Sequence, residues 1–106
     1  MEWIRIFTSG AEALLRIRED TPQLVIIGEV RICLVRHDDV FSAVQDSCSH
    51  NGESLSKGHV NYLGEIICPW HNYCFDLRSG REIEGRSSEL RTFPVKLDDT
   101  GFFIGI

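Results

Sequence analysis

Two short clusters of metal-ligand residues constrain the fold of this chain more than any other feature of its sequence. Cys48-x-His50 comes first, and Cys68-x-x-His71 follows after residues 51–67. Thiolate and imidazole both bind transition metals, so the two pairs predict that two separate loops meet at one metal centre. A structural zinc ion also accepts two Cys and two His, but its usual motifs group like ligands together. The mixed order favours a two-iron centre, in which the thiolates bind one iron and the imidazoles bind the other.

The segment that carries these pairs differs in composition from the rest of the chain. Between Asp46 and Gly80 it is rich in Gly, Ser, Asn, Cys and His, and it contains few apolar residues. A loop-rich segment of this length inside a compact domain is uncommon and usually functional. Since apolar packing is too sparse to hold it, we expect metal–ligand bonds to fasten residues 46–80 as a cluster-binding subdomain.

Alternating apolar and polar residues predict an all-β domain around this segment. The predicted strands are WIRIF near the start, Gln23–Gly28, Arg31–Arg36, Val40–Gln45, Phe93–Leu97 and Phe102–Ile106. Turn-forming residues at 37–39 and 98–101 join two pairs of them into antiparallel hairpins. One short helix is predicted near Ser9–Leu15, with Thr8 or Ser9 as its N-cap. No linker interrupts the pattern, so residues 1–106 are predicted to form one domain.

The two ligand pairs and their flanks resemble the cluster-binding motifs of Rieske-type ferredoxins and of the Rieske domains of oxygenases. The similar stretches are FSAVQDSCSHNGESLSKG, CPWHNYCFDLRSGR and TFPVKLDD. Together they extend from about Ile32 onward, whereas the first thirty residues are compatible with the family without being diagnostic. The resemblance implies an antiparallel β-sandwich or barrel-like base, with two loops that close around one [2Fe-2S] cluster.

The resemblance also implies the ligand set. Cys48 and Cys68 would bind the inner iron, and His50 and His71 would bind the outer one. The chain departs from the family at Asn72, which stands where a Gly usually follows the second His. Asn adopts a left-handed backbone more readily than most residues, so the turn is expected to survive this change.

Three functions are compatible with these residues. The resemblance implies a one-electron carrier that takes electrons from a reductase and passes them to an oxygenase or another redox enzyme. A second hypothesis is a fixed electron-relay subunit of a larger reductase or oxidase complex. The third is an interaction module stapled by zinc. In none of them does the chain turn over a small substrate, and we assign no catalytic residue.

The resemblance bears on the reduction potential as well. Two imidazoles in place of two thiolates leave the oxidised centre without net charge, which raises its potential above that of an all-thiolate centre. High-potential family members add a disulfide between the ligand loops, in the neighbourhoods occupied here by Glu53 and Trp70. They also place a hydroxyl two residues after the second His and a Tyr four after it, where this chain has Tyr73 and Phe75. We therefore expect a potential toward the low end of a range of about −150 to +300 mV.

Net charge and hydropathy exclude other classes of protein. The formal charge of −5 argues against nucleic acid as a main partner, because binding phosphates needs a concentrated basic face. We find no stretch of the roughly 18 apolar residues that a membrane span requires and no signal-peptide pattern, so we expect a cytoplasmic monomer with reduced cysteines.

The remaining polar and sulfur-containing residues receive plainer interpretations. Cys33 is expected to be a small buried residue, and Cys74 to be a free thiol in a strand rather than a metal ligand. Pro69 and Trp70 are expected to shield the cluster from water. Turn or surface positions are expected for His37, His59, Asp46, Asp76 and the EIEGRSSE stretch that begins at Glu82.

Overall fold

The computed structural model describes residues 1–106 and confirms the all-β class, with three antiparallel sheets and one short α-helix. The elements in chain order are β1 (Trp3–Phe7), α1 (Gly10–Arg16), β2 (Gln23–Ile27), β3 (Val30–His37), β4 (Val40–Gln45), a 3-10 turn (Leu55–Lys57), β5 (His59–Val60), β6 (Glu65–Ile67), β7 (Cys74–Asp76), β8 (Thr92–Phe93), β9 (Val95–Asp98) and β10 (Gly101–Gly105). The sheets have the orders β1-β10-β9, β2-β3-β4-β8 and β5-β6-β7.

The predicted helix begins as its sequence indicates. Ser9 is the N-cap, and its hydroxyl accepts a hydrogen bond from the backbone N–H of Glu12 at 3.0 Å. The Glu12 carboxylate in turn accepts one from the N–H of Thr8 at 2.9 Å, so donors at the helix start are satisfied from both directions. Ala13 is the buried residue of this helix, and its packing holds the helix against the sheets.

Strand β3 is buried on both faces and separates two apolar cores. Ile32 and Leu34 pack into one core, together with residues of β10 and α1. Cys33 and Val35 point the opposite way, into a core that also contains both motif cysteines. Since successive strand residues face opposite sides, one strand serves both cores. The burial of Cys33 is as predicted.

The prediction of one strand over Phe93–Leu97 is wrong. The chain forms β8 and β9 instead, with Pro94 between them. Proline has no N–H to donate to a ladder, so continuous pairing stops there. Strand β8 pairs with β4, whereas β9 pairs with β10, and the chain passes from one sheet to the other at this point.

The middle of the chain contains more regular structure than its composition indicates. Strands β5, β6 and β7 form a small sheet of their own, which carries the second ligand loop between β6 and β7. Gly58 precedes β5 at a close backbone approach, where a Cβ would lie 2.0 Å from the carbonyl oxygen of Ile67.

The chain's helices all fall short of the length and apolar character that crossing a membrane would take.

Candidate metal centre

Each ligand loop is closed by its own backbone hydrogen bond, and the two bonds join equivalent positions. In the first loop the N–H of Cys48 donates to the carbonyl of Glu53 at 2.8 Å, and in the second the N–H of Cys68 donates to the carbonyl of Tyr73 at 2.9 Å. Each cysteine therefore starts a loop that returns to it five residues later. The His of each pair lies inside its loop.

Left-handed backbone conformations form the turn in the second loop. His71 has φ of 64° and Asn72 has φ of 55°. Asn72 thus adopts the conformation for which the family uses Gly, as expected. The left-handed conformation of His71 itself was not predicted, and such conformations at residues other than Gly are concentrated at functional sites.

A third segment, which the sequence did not single out, packs against the two loops. The hydroxyl of Ser49 donates to the carbonyl of Ser88 at 2.6 Å and lies 2.7 Å from the hydroxyl of Ser87. These bonds join residues almost forty positions apart, so no local pattern could indicate them. We call residues 80–90 the covering segment.

The structure brings the four predicted ligands together with two different exposures. Cys48 and Cys68 are 2% and 0% exposed and belong to the core that also contains Phe75. His50 and His71 are exposed, and their ring centroids lie 5.3 Å apart. The site therefore has a buried thiol side and a solvent-facing imidazole side.

Burial controls the protonation of Cys68. It raises the pKa of the Cys68 thiol to about 11, with a hydrogen bond from the Trp70 amide acting in the opposite direction. Without a cation nearby, this thiol stays protonated at neutral pH. A metal that binds here displaces the proton, so metal affinity increases with pH.

The spacing of the donor atoms distinguishes a cluster from a single ion. Around one tetrahedral zinc, donor atoms lie about 3.3 to 3.8 Å apart. The one group of three or more possible ligands with donors all within 4.8 Å is Glu19, Asp20 and His37, outside the motifs. No three of the motif residues have donor atoms all within 4.8 Å of one another, a spread that a centre with two metal atoms accommodates.

His37 lies beside the hairpin turn, as expected, but it is only partly exposed. Its side chain is 18% exposed, and its Nδ1 lies 2.7 Å from Asp20 Oδ1. This contact raises the pKa of His37. Glu19, the third member of the group, accepts a hydrogen bond from the N–H of Asp38 and pairs with Arg36 at 3.4 Å. These donors are therefore already engaged within the protein.

Two acidic residues predicted to lie at the surface are buried instead. Asp46 is 1% exposed, and its carboxylate accepts hydrogen bonds from the Ser54 hydroxyl and from the Ser56 N–H, the latter at 2.8 Å. It thereby attaches the end of β4 to the chain beyond the first ligand loop. Glu82 is 4% exposed and lies in the covering segment. Both are buried because hydrogen-bond partners in the folded chain satisfy their charge.

The other sequence interpretations have mixed outcomes. Cys74 begins β7, as expected, and His59 is exposed; that the Cys74 thiol binds no metal stays a prediction. Trp70 is 55% exposed and meets the His71 ring edge to face, with centroids 6.0 Å apart. Trp70 flanks the imidazole, and both Trp70 and Pro69 are exposed, so their role in shielding the cluster stays a prediction.

Comparison with known proteins supports the same centre. Residues 10–94 match the family described as the Rieske [2Fe-2S] domain. The chain is 33% identical over 79 residues to the ferredoxin component of an alkene monooxygenase system from Xanthobacter autotrophicus. The aligned part covers 74% of this chain and 65% of that relative, just under two thirds of the relative's length. It is 34% identical over 76 residues to the 3-phenylpropionate/cinnamic acid dioxygenase ferredoxin subunit of Photorhabdus laumondii, covering 71% of the chain and 72% of the relative.

The fold is similar to that of a solved ferredoxin. The ferredoxin of carbazole 1,9a-dioxygenase from Nocardioides aromaticivorans superimposes with a TM-score of 0.82 over 99% of this chain and 98% of that one, at 24% identity. The antiparallel all-β fold predicted from the sequence is thus one that a known protein adopts.

Proposed function

The chain belongs to the Rieske [2Fe-2S] domain family, and on that premise we propose that it is a ferredoxin-type carrier, which relays single electrons from a reductase to an oxygenase or another redox enzyme. The observation that carries the proposal is the exposure of the two imidazoles beside two buried thiols. The curated relatives described above are named ferredoxin components of oxygenase systems, which supports the role of carrier over that of catalyst.

We propose that Cys48, Cys68, His50 and His71 hold the cluster, with the cysteines on the inner iron and the histidines on the outer iron. When bound, the cluster supplies a reversible one-electron site. The buried thiols keep water from the inner side of the site, and the exposed imidazoles provide the edge at which a partner protein can approach. Neutral imidazoles also leave the two sides of the site with different charge.

We further propose that residues 1–106 act as one domain, with a cluster-binding subdomain over about 46–80 that the covering segment extends. The hydrogen bonds of the Ser49 hydroxyl with residues 87 and 88 support this extension. Four free cysteines support a reducing compartment, so we propose a cytoplasmic monomer. A fixed relay subunit remains the alternative, and it differs in needing a partner chain for stability.

Paired substitutions test the ligand assignment. His71→Ser is expected to abolish or transform the visible absorption and the EPR signal seen after dithionite reduction. Cys74→Ser changes a nearby cysteine outside the proposed ligand set and is expected to leave both spectra intact. A colourless protein that contains one zinc would contradict the proposal.

The role of carrier is tested separately, with the purified protein. As a free ferredoxin it should run as a monomer and accept electrons from a reductase in solution. Stability only in the presence of a partner chain would favour the fixed relay.

A further inference from the structure

The imidazole of His50 is held by an aromatic neighbour. Its ring stacks on the ring of Tyr73 with centroids 3.9 Å apart and an interplanar angle of 14°. An exposed His on a loop would otherwise sample several orientations, since few atoms surround it. Tyr73 belongs to the other ligand loop, so this stack also connects the two loops.

The same tyrosine also contacts a cationic side chain. The guanidinium carbon of Arg86 lies 4.0 Å from the centroid of the Tyr73 ring. Two groups stacked at this distance need separate faces of the ring, so Tyr73 is sandwiched between His50 and Arg86. Arginine over a tyrosine face is a favourable cation–π contact. The covering segment thus reaches the proposed ligand His50 through one intervening ring.

A buried carboxylate fixes the arginine. Glu82 Oε2 accepts from Arg86 Nη2 at 2.9 Å, and Glu82 Oε1 accepts from Arg86 Nε at 3.2 Å, which is the two-pronged geometry that orients a guanidinium. The Glu82 side chain has no exposed surface. Exposed Glu84 also pairs with Arg86 Nε at 3.2 Å.

Backbone amides complete the environment of Glu82. Its carboxylate accepts from the N–H groups of Glu84 at 3.1 Å, Arg86 at 2.9 Å and Cys74 at 3.3 Å. The hydrogen bond from Arg86 contributes most to holding the pKa of Glu82 at about 2. Glu82 therefore stays ionised and anchors both the covering segment and the strand that leaves the second loop.

We propose that Glu82, Arg86 and Tyr73 form a positioning relay that fixes the His50 ring and sets the reduction equilibrium of the centre. The inference rests on the proposed function, in which His50 is a ligand. Tyr73 orients the ring by contact. The ion pair acts through its charges, because Arg86 contacts the Tyr73 ring that stacks on His50, and Glu82 pairs with Arg86.

Because Glu82 and Arg86 carry opposite charges, neutralising one or the other is predicted to shift the midpoint potential in opposite directions. Glu82→Gln leaves a positive charge near the centre, which favours the added electron and raises the midpoint potential. Arg86→Gln leaves a buried negative charge and lowers the midpoint potential. We expect each change to alter the equilibrium constant for reduction at least about threefold, or about 28 mV at 59 mV per tenfold.

The aromatic contact is tested apart from the charge. Tyr73→Phe retains the stack and is expected to keep the wild-type EPR line shape. Tyr73→Leu removes the stack and is expected to shift and broaden the EPR signal, because contact with Tyr73 no longer fixes the orientation of the His50 ring. A structural role of Tyr73 alone would change protein stability without changing the signal of loaded protein.

The chain supplies a matched charge control. Arg81 lies in the same segment and pairs with Glu89 at 3.9 Å, but both are largely exposed. Arg81→Gln changes the net charge as Arg86→Gln does and is expected to leave the potential within about 10 mV of wild type, because solvent screens exposed charges. An equal shift in the two arginine variants would overturn the relay.

The experiment separates failure of this inference from failure of the proposed function. A wild-type protein without a [2Fe-2S] spectrum would refute the proposed function. Loaded variants in which Glu82→Gln and Arg86→Gln shift the potential in the same direction, or not at all, would refute only the relay. If Glu82→Gln does not load, Arg86→Gln and the pair of Tyr73 variants decide the matter alone.

Discussion

Asp46→Ala should destabilise the centre far more than removal of a similar carboxylate elsewhere. Asp46 is buried and accepts from the Ser54 hydroxyl and the Ser56 amide. Its loss leaves both donors without this partner next to the first ligand loop. Hydrogen bonds to charged groups contribute about 1.5 to 3 kcal/mol each, so we expect a total loss near 3 kcal/mol, which is the low end for two such bonds.

Asp76→Ala is the matched control. Asp76 also accepts two hydrogen bonds, from the N–H groups of Arg78 at 2.8 Å and Ser79 at 3.0 Å, but these bonds are exposed. Water can replace them, so the expected loss is about 1 kcal/mol or less. The difference between the variants therefore measures burial, since the chemistry of the deleted group is the same.

Two assays on the loaded protein compare the variants. Urea unfolding followed by circular dichroism gives the loss of stability. Release of iron to a chelator, followed by visible absorption, should be faster for Asp46→Ala, by up to roughly 100-fold if all of the lost energy favours opening of the loop. Equal behaviour of the two alanine variants, to within about 0.5 kcal/mol, would refute the anchoring role of Asp46.

Three further outcomes are expected. Inside helices alanine is more stable than glycine by roughly 1 kcal/mol. Gly58→Ala should nevertheless destabilise the protein by more than that amount, because its Cβ would lie 2.0 Å from the Ile67 carbonyl oxygen. Thermal unfolding would show this as a lowered midpoint. Asp20 raises the pKa of His37 above 6.5, so the stabilisation from this pair is fully present below pH 6.5 and is lost as the pH rises through the raised pKa; the difference in melting temperature between wild type and His37→Gln should shrink over that window. The midpoint potential should lie below 0 mV by potentiometry, since the chain has no disulfide and Phe75 cannot donate a hydrogen bond to a sulfur.

The sequence predicts the elements that local patterns specify. Alternation gives β3 and β4 almost to the residue, and Ser9 marks the start of the helix because capping depends on neighbouring groups. The break at Pro94 could also have been predicted, because proline cannot continue a ladder. The alternation of FPVKL hides this break.

Burial of charge is the part that the sequence could not predict. Asp46 and Glu82 occupy polar stretches, where solvent exposure is the ordinary expectation. Glu82 is buried because Arg86 and three backbone amides satisfy it, and the amide of Cys74 comes from another strand. Such a set of partners exists only in the folded chain. The stack of Tyr73 on His50 likewise depends on the approach of two loops.

The polar anchors act together with an apolar core, which includes Leu55, Ile66 and Phe75, to hold the ligand loops. Strand β3 supplies one wall of the core behind the cysteines, and this wall belongs to the base as much as to the loops. Asp46 attaches the first loop to the end of β4, and Glu82 attaches the strand after the second loop to the covering segment. Each loop thus has one anchor outside the metal site. These anchors and the bonds to the metal act on the same two loops, so the anchors lower the entropic cost of bringing four ligands together.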